Sequence, residues 1–153
     1  MTVEAGQPAP TFTVDGDTGP VDLNPGEGKA LVIYFYPKDD TSGCTTEAKA
    51  FTELHEEFLT SGAEVIGVSR DDTKSHGKFR AKYGLTHPLA ADADGAVTEA
   101  YGVWVKKSMY GREYMGIERA TFLIGRDGKV ARVWRKVKVP GHAAEVLAAV
   151  KGL

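Results

Sequence analysis

The residue whose side chain is best suited to chemistry is Cys44, the single cysteine of this 153-residue chain. It lies where an apolar, strand-like run and a polar turn give way to a helical pattern. The N–H groups of a first helical turn have no intrahelical partners and the helix dipole is positive there, so a thiolate is favoured. The sequence therefore predicts a reactive thiol. The alternative is a buried, inert cysteine, since free cysteines are often buried.

Formation of the thiolate is a weak source of catalysis by itself. Lowering a thiol's pKa increases the thiolate fraction but weakens the nucleophile, so the net gain is only about a few-fold. Fast chemistry also needs hydrogen-bond donors placed where charge develops. Candidate donors are the Thr41 hydroxyl and the amides of Gly43 and Cys44, and Pro37 sets the exit from the strand. Alternatively, Thr41 is a helix cap and Pro37 merely ends the strand.

Hydrophobic periodicity predicts the elements that position these residues. Lys29–Tyr36 is typical of a strand buried on both faces, and Cys44–Thr60 has helical spacing. The other predicted elements are short extended pieces at Thr11–Val14 and Pro20–Leu23, strands at Ala63–Ser69 and His87–Ala91, helices at Asp72–Tyr83, Ala96–Tyr101 and Gly141–Val150, a loop or irregular extended segment at Trp104–Ile117, and a hairpin of Ala120–Gly125 and Lys129–Arg135. This order predicts the α/β class, as a thioredoxin fold with an N-terminal extension and a mixed central sheet flanked by helices. We expect a single domain over residues 1–153.

Composition excludes several classes of function. The formal net charge is −2 and there is no basic stripe, so nucleic-acid binding is not expected. No apolar stretch is long enough to span a bilayer, and the start MTVEAGQPAP lacks the features of a secretory signal. A lone thiol suits a reducing compartment, which predicts a cytoplasmic protein. The four histidines lack metal-ligand spacing and no phosphate-binding glycine loop is present, so neither a metal nor a cofactor is expected.

The segment from Pro37 to Cys44 reads P-x-x-x-T-x-x-C directly after the predicted buried strand. It resembles the peroxidatic motif of the peroxiredoxins. The wider resemblance is to the bacterioferritin-comigratory-protein branch, and it covers nearly the whole chain through GQPAPTFTV, YFYPKDDTSGCTTEA, YGREYMGIERATFLI and WRKVKVPGHAAEVL. It implies a thiol-dependent peroxidase that reduces hydrogen peroxide and organic hydroperoxides.

The resemblance also implies roles for individual residues. Cys44 matches the peroxidatic nucleophile, Thr41 the threonine that hydrogen-bonds peroxide, Pro37 the proline that shields the pocket, and Arg119 the arginine that stabilises the thiolate and orients the substrate. Without the resemblance, the sequence favours the interpretation of Arg119 as a solvated residue entering an edge strand. Glu47 is a candidate anchor for that arginine, or else a first-turn charge that complements the helix dipole.

The sequence departs from this branch at two positions. Many members carry a resolving cysteine five residues after the peroxidatic one, where this chain has Lys49, and Ser42 replaces a frequent proline. With one cysteine, the sulfenic acid at Cys44 must be reduced by an external thiol, such as thioredoxin, glutaredoxin or a low-molecular thiol, or through an intermolecular disulfide. We expect a monomer or a weak dimer. The alternatives are a redox sensor or binding protein of the same fold, and a chaperone-like module with an inert cysteine.

Overall fold

The computed structural model describes residues 3–24 and 28–153; residues 1–2 and 25–27, within the predicted N-terminal extension, lie outside this description. The predicted α/β class and thioredoxin-type arrangement are confirmed. The strands are β1 (Phe12–Val14), β2 (Val21–Leu23), β3 (Ala30–Phe35), β4 (Ala63–Ser69), β5 (Leu89–Ala91), β6 (Trp104–Met109), β7 (Arg112–Ile117), β8 (Ala120–Ile124) and β9 (Val130–Trp134). The helices are α1 (Ser42–Thr60), α2 (Thr73–Tyr83), α3 (Ala96–Ala100) and α4 (His142–Lys151).

The central sheet has five strands in the order β5-β4-β3-β8-β9. Strand β3 runs parallel to β4 and antiparallel to β8, so the sheet is mixed. Antiparallel pairing places the end of β3 beside the start of β8, with Phe35 opposite Ala120. Residues that follow β3 and residues that precede β8 therefore lie at the same edge of the sheet.

Strand β3 is buried along its whole length, as its apolar run predicts. Val32 and Tyr34 belong to a core with residues of α1, α2 and α4. Ile33 and Phe35 belong to a second core with α3 and the β1–β2 pair. Successive side chains of a strand point to opposite faces, so β3 packs into both cores. The carboxyl end of β3 is therefore fixed from both sides of the sheet.

Helix α2 has a clear start and stop. The Asp72 carboxylate accepts a hydrogen bond from the Ser75 N–H (2.8 Å), and Gly84 ends the helix in a left-handed conformation with φ of 65°. Longer than α2, helix α1 extends over 19 residues and carries the motif cysteine near its start. Across residues 3–24 and 28–153, no helix combines the length and the apolar character that crossing a membrane requires.

The prediction of a loop or irregular extended segment at Trp104–Ile117 is wrong. The segment forms a regular antiparallel hairpin in which β6 pairs with β7 from Trp104 and Ile117 to Met109 and Arg112. Its two-residue turn places Tyr110 at φ 52° and Gly111 at φ 77°. Two residues with positive φ match the twist of a tight hairpin, but tyrosine is a poor sequence signal for such a turn.

Candidate active site

Cys44 is the third residue of α1 and is 1% exposed. Strand β3 ends at Phe35 and a short loop leads into the helix, so the sulfur lies at the carboxyl edge of the sheet and at the positive end of α1. The cysteine belongs to the core formed by α1, α2 and α4. Burial alone is also compatible with the inert alternative, so the polar neighbours of the sulfur decide between the two.

Arg119 supplies the decisive contact. It lies one residue before β8, and its Nη2 donates to the Cys44 Sγ at 3.3 Å, although the residues are 75 positions apart. Its Nη1 donates to the Glu47 Oε1 at 2.7 Å. A planar guanidinium can serve two acceptors at once, so Arg119 links the sulfur to a carboxylate. The alternative of a solvated arginine entering an edge strand is wrong, because Arg119 is partly buried and β8 lies inside the sheet.

Gly43 makes room for this contact. A Cβ atom at position 43 would lie 3.2 Å from the Arg119 Nη2, which is tighter than ordinary packing. The absence of a side chain therefore lets the guanidinium lie against the first turn of α1, next to Cys44.

Glu47 is a buried carboxylate with an incomplete set of partners. The residue is 1% exposed, its Oε1 accepts from Arg119, and its Oε2 has no hydrogen-bond partner among the described residues. Burial raises the pKa of Glu47 to about 7, and the charge and hydrogen bond of Arg119 oppose that rise. The prediction that Glu47 anchors Arg119 is confirmed. This group is poised to change its charge near neutral pH.

Thr41 occupies the N-cap position of α1, but its side chain makes no capping hydrogen bond. Its hydroxyl instead donates to the Lys38 carbonyl oxygen at 2.9 Å. Thr41 is therefore the N-cap residue, as the alternative predicts, but without a capping bond from its side chain. A hydroxyl that gives its proton to a carbonyl keeps its lone pairs, so in this arrangement the Thr41 oxygen is an acceptor.

Pro37 follows Tyr36 at the exit from β3 and is exposed. The structure thus brings Cys44 and Arg119 into contact and leaves Pro37 and Thr41 on the loop that leads to the helix. Among the described residues, no cluster of three or more histidine, cysteine, aspartate or glutamate side chains could hold a metal ion.

Sequence reasoning missed Lys107, a half-buried residue of β6. Its side chain packs over Gly116, where a Cβ would lie 3.2 Å from the Lys107 Cδ. Burial and the charge of Arg119 lower the pKa of Lys107, while Cys44 and Glu118 act in the opposite direction. The charges of Arg119 and Lys107 therefore act on each other in this part of the site. The sequence signal was weak because the hairpin that carries Lys107 was itself not predicted.

Comparison with known proteins gives a consistent result. A family model described as the AhpC/TSA family matches residues 5–133. Peroxiredoxin Bcp of Bacillus subtilis (strain 168) is 49% identical over 154 residues, which cover 100% of this chain and 98% of that protein.

Two solved structures from Xanthomonas campestris are similar over almost the whole fold. Peroxiredoxin Q superposes with a TM-score of 0.89 at 48% identity, covering 97% of each chain. The bacterioferritin comigratory protein, whose structures with a trapped intermediate and ligand concern its alkyl peroxide reduction activity, superposes with a TM-score of 0.89 at 47% identity and covers 97% of this chain and 98% of its own.

Proposed function

Since this chain belongs to the AhpC/TSA family and is a thiol-dependent peroxidase of the peroxiredoxin Bcp type, we propose that its reaction runs through Cys44 with Arg119, Thr41 and Pro37 as its site. The observation that carries this assignment is the 3.3 Å contact between the Arg119 Nη2 and the Cys44 Sγ. A permanently charged guanidinium stabilises the thiolate without competing for its proton.

The chemical step transfers one oxygen atom to sulfur. The Cys44 thiolate attacks the hydrogen-bearing peroxide oxygen, the S–O bond forms as the O–O bond breaks, and the other oxygen leaves as hydroxide or alkoxide. The leaving group takes a proton from solvent to become water or an alcohol. Arg119 and the first-turn amides of α1 stabilise the negative charge that spreads over sulfur and the leaving oxygen. Thr41 accepts the hydrogen bond of the peroxide O–H and so orients it, while Pro37 holds the rim of the site.

Recycling requires two external thiols. The first condenses with the sulfenic acid to give a mixed disulfide and water, and the second releases Cys44 as a thiol together with an external disulfide. The chain has one cysteine, so no intramolecular disulfide can replace the first step. At the position of the family's resolving cysteine, Lys49 is exposed, with its Nζ 6.0 Å from the centre of the Tyr83 ring.

We further propose peroxides of the hydrogen peroxide and organic hydroperoxide class as substrates, and thioredoxin, glutaredoxin or a low-molecular thiol as reductant. The free thiol suits a reducing cytoplasm. A monomer or a weak dimer is consistent with a site whose Cys44, Arg119 and Glu47 come from one chain.

Stopped-flow kinetics tests the function. Reduced protein should react with peroxide at least about a thousandfold faster than free cysteine, because Arg119 and the helix amides act together on the transition state. It should also complete many turnovers with a thiol donor, which a redox sensor would not do. The variant Cys44→Ser should be inactive.

A matched control moves the thiol by two residues. The double variant Cys44→Ser with Ser42→Cys keeps one thiol at the start of α1 but removes it from Arg119, and it should react no faster than free cysteine. A wild-type rate close to that of free cysteine, or full activity in the double variant, would contradict the proposal.

A further inference from the structure

The loop between β3 and α1 carries a second buried ion pair that the reaction scheme does not use. Asp39 is buried, whereas Lys38, Asp40 and Thr41 beside it are exposed. The Asp39 Oδ1 accepts from the Tyr36 hydroxyl at 2.6 Å. Its Oδ2 lies 2.7 Å from the His76 Nδ1 and accepts from the Ser75 hydroxyl at 2.8 Å. Three donors therefore satisfy this carboxylate.

His76 has acceptors on both sides of its ring. The residue is 0% exposed, its Nδ1 faces the Asp39 carboxylate, and its Nε2 lies 3.0 Å from the Ala90 carbonyl oxygen of β5. A carbonyl and an ionised carboxylate can only accept, so these two contacts favour the imidazolium form of His76, with hydrogen on both ring nitrogens. The Tyr36 hydroxyl also lies 3.4 Å from Nδ1. Helix α2 thus holds a positive charge directly against the loop.

The backbone of the loop is tied to the sheet as well. The Asp39 N–H donates to the Asp71 Oδ2 at 2.9 Å, and the Ser69 hydroxyl at the end of β4 donates to the same oxygen at 2.6 Å. The next residue, Asp40, has φ of 58° and accepts from the Lys82 Nζ at 2.9 Å. Asp39 and Asp40 thereby attach the loop to opposite ends of α2.

The orientation of the Thr41 hydroxyl depends on this anchored loop. It donates to the carbonyl oxygen of Lys38, the residue that directly precedes Asp39. A displacement of Asp39 would therefore move the oxygen that orients Thr41. Cys44 and Arg119 would not be disturbed in the same way, because their contacts come from α1 and from the start of β8.

We propose that His76 and Asp39 are positioning residues for peroxide reduction. Through the Lys38 carbonyl, they hold the Thr41 hydroxyl in the correct position relative to Cys44. This inference rests on the proposed role of Thr41 toward peroxide. In this proposal α2, which makes no hydrogen bond to the sulfur, positions the side of the site that binds the peroxide oxygens.

The test compares two rates in each protein: the rate of peroxide reduction, and the rate of Cys44 alkylation by iodoacetamide. Alkylation needs the thiolate but not Thr41. In His76→Gln the peroxide rate should fall about tenfold to a hundredfold, because small displacements of a reacting geometry have effects of this size. The alkylation rate should stay at its wild-type value. A purely structural role of His76 would leave the ratio of the two rates unchanged, which would overturn the inference.

His87→Gln is the matched control. His87 is equally buried, but burial lowers its pKa to about 3, and it lies between the Tyr34 hydroxyl (2.6 Å) and Thr52 (3.3 Å), away from the loop. Its substitution should leave the ratio of the two rates unchanged. An equal fall of the ratio in both variants would show a general effect of losing a buried histidine and would also overturn the inference.

A double-mutant cycle tests the route through Thr41. Thr41→Val should lower the same ratio by itself, and adding His76→Gln in that background should have no further effect. Additive losses would contradict transmission through Thr41. Should His76→Gln fail to fold, Asp39→Asn provides the same comparison with a nearly isosteric side chain.

The wild-type protein supplies an independent readout from pH. Burial opposes the charge of His76, but the hydrogen bond and charge of Asp39, the Ala90 carbonyl and the charge of Asp71 together raise its pKa above 6.5. The ratio of peroxide to alkylation rate should therefore fall as pH rises through that raised value, and a flat ratio would contradict the inference. A wild-type peroxide rate no faster than free cysteine would instead refute the proposed function, so the two failures are distinguishable.

Discussion

Two ion pairs, one in contact with the reacting sulfur and one on the loop between β3 and α1, are satisfied to different degrees. On the sulfur side, Arg119 divides its donors between Glu47 and Cys44, and the second oxygen of Glu47 has no partner in the described structure. On the loop side, the Asp39 carboxylate receives three donors and both nitrogens of His76 are engaged.

This difference separates two tasks. A fully bonded pair resists displacement, because any movement leaves a buried polar group without a partner, and it is therefore suited to holding geometry. In the other pair, Arg119 also donates to the sulfur, so its guanidinium can act on the negative charge that develops during the reaction. The comparison predicts that substitutions on the sulfur side change the reactivity of the thiolate itself, whereas those on the loop side affect peroxide selectively.

The largest effect is expected from Arg119→Lys, which tests the sulfur side directly. An ammonium group cannot reproduce the planar fork that reaches both Glu47 and Cys44, so peroxide reduction should slow about a hundredfold and alkylation should slow as well. Stopped-flow kinetics with both reagents measures the change. Arg135→Lys is the control, since Arg135 is also partly buried and pairs with Glu118 at 2.9 Å. Wild-type rates in Arg119→Lys would remove the basis of the comparison.

A smaller effect is expected from Glu47→Gln, and it appears in the pH dependence of stability. Because the pKa of Glu47 is raised from 4.5 to about 7, its neutral form is favoured by folding. The associated stability is present below 4.5 and is lost as pH rises through about 7. Between about pH 5 and about pH 8 the wild type should thus lose on the order of 2 kcal/mol of unfolding free energy that Glu47→Gln retains.

Denaturant unfolding at both pH values measures this difference. Glu57→Gln is the control, because Glu57 is exposed and pairs with Lys151 at the surface (3.3 Å). Identical pH slopes in the wild type and Glu47→Gln would mean that burial does not raise the pKa of Glu47, and the contrast between the two pairs would disappear.

The smallest effect is expected from Gly43→Ala, which sharpens the comparison by displacing Arg119 without changing any charge. The new Cβ, 3.2 Å from the Arg119 Nη2, should push the guanidinium by a few tenths of an ångström and slow peroxide reduction about threefold to tenfold. Stability should rise slightly or stay the same, since alanine favours a helix by about 0.5–1 kcal/mol over glycine.

Gly77→Ala in α2 is the matched control, because a Cβ there has no neighbour within 4 Å. Thermal unfolding should show a similar or larger gain in stability, and peroxide kinetics should be unchanged. Equal kinetics in the two variants would indicate that the position of the guanidinium is not critical.

The main elements could be predicted because their signals are local. Strand β4 has the predicted bounds, and β3 differs from Lys29–Tyr36 by one residue at each end. The hairpin of β6 and β7 could not be predicted, because its strands are largely exposed and polar and its turn begins at Tyr110, which is 99% exposed. Without a buried face, a strand leaves little alternation in the sequence.

The residues of the site also fall into those that the sequence indicated and those that it did not. Sequence pattern placed Cys44 at the start of a helix after a buried strand, and family resemblance supplied Arg119. Neither source indicated that Asp39 would meet His76, 37 residues away, or that the Thr41 hydroxyl would turn to the Lys38 carbonyl.

The sequence by itself determined the reactive position, since a strand, a turn and a helix start are encoded within a few neighbouring residues. Only the tertiary structure decided which charges surround the sulfur. Arg119 reaches Cys44 because β8 lies antiparallel beside β3, and His76 reaches Asp39 because α2 packs beside the loop. Contacts of this kind depend on strand order and helix packing, which are set by the burial of the whole core and leave no periodic trace in the chain.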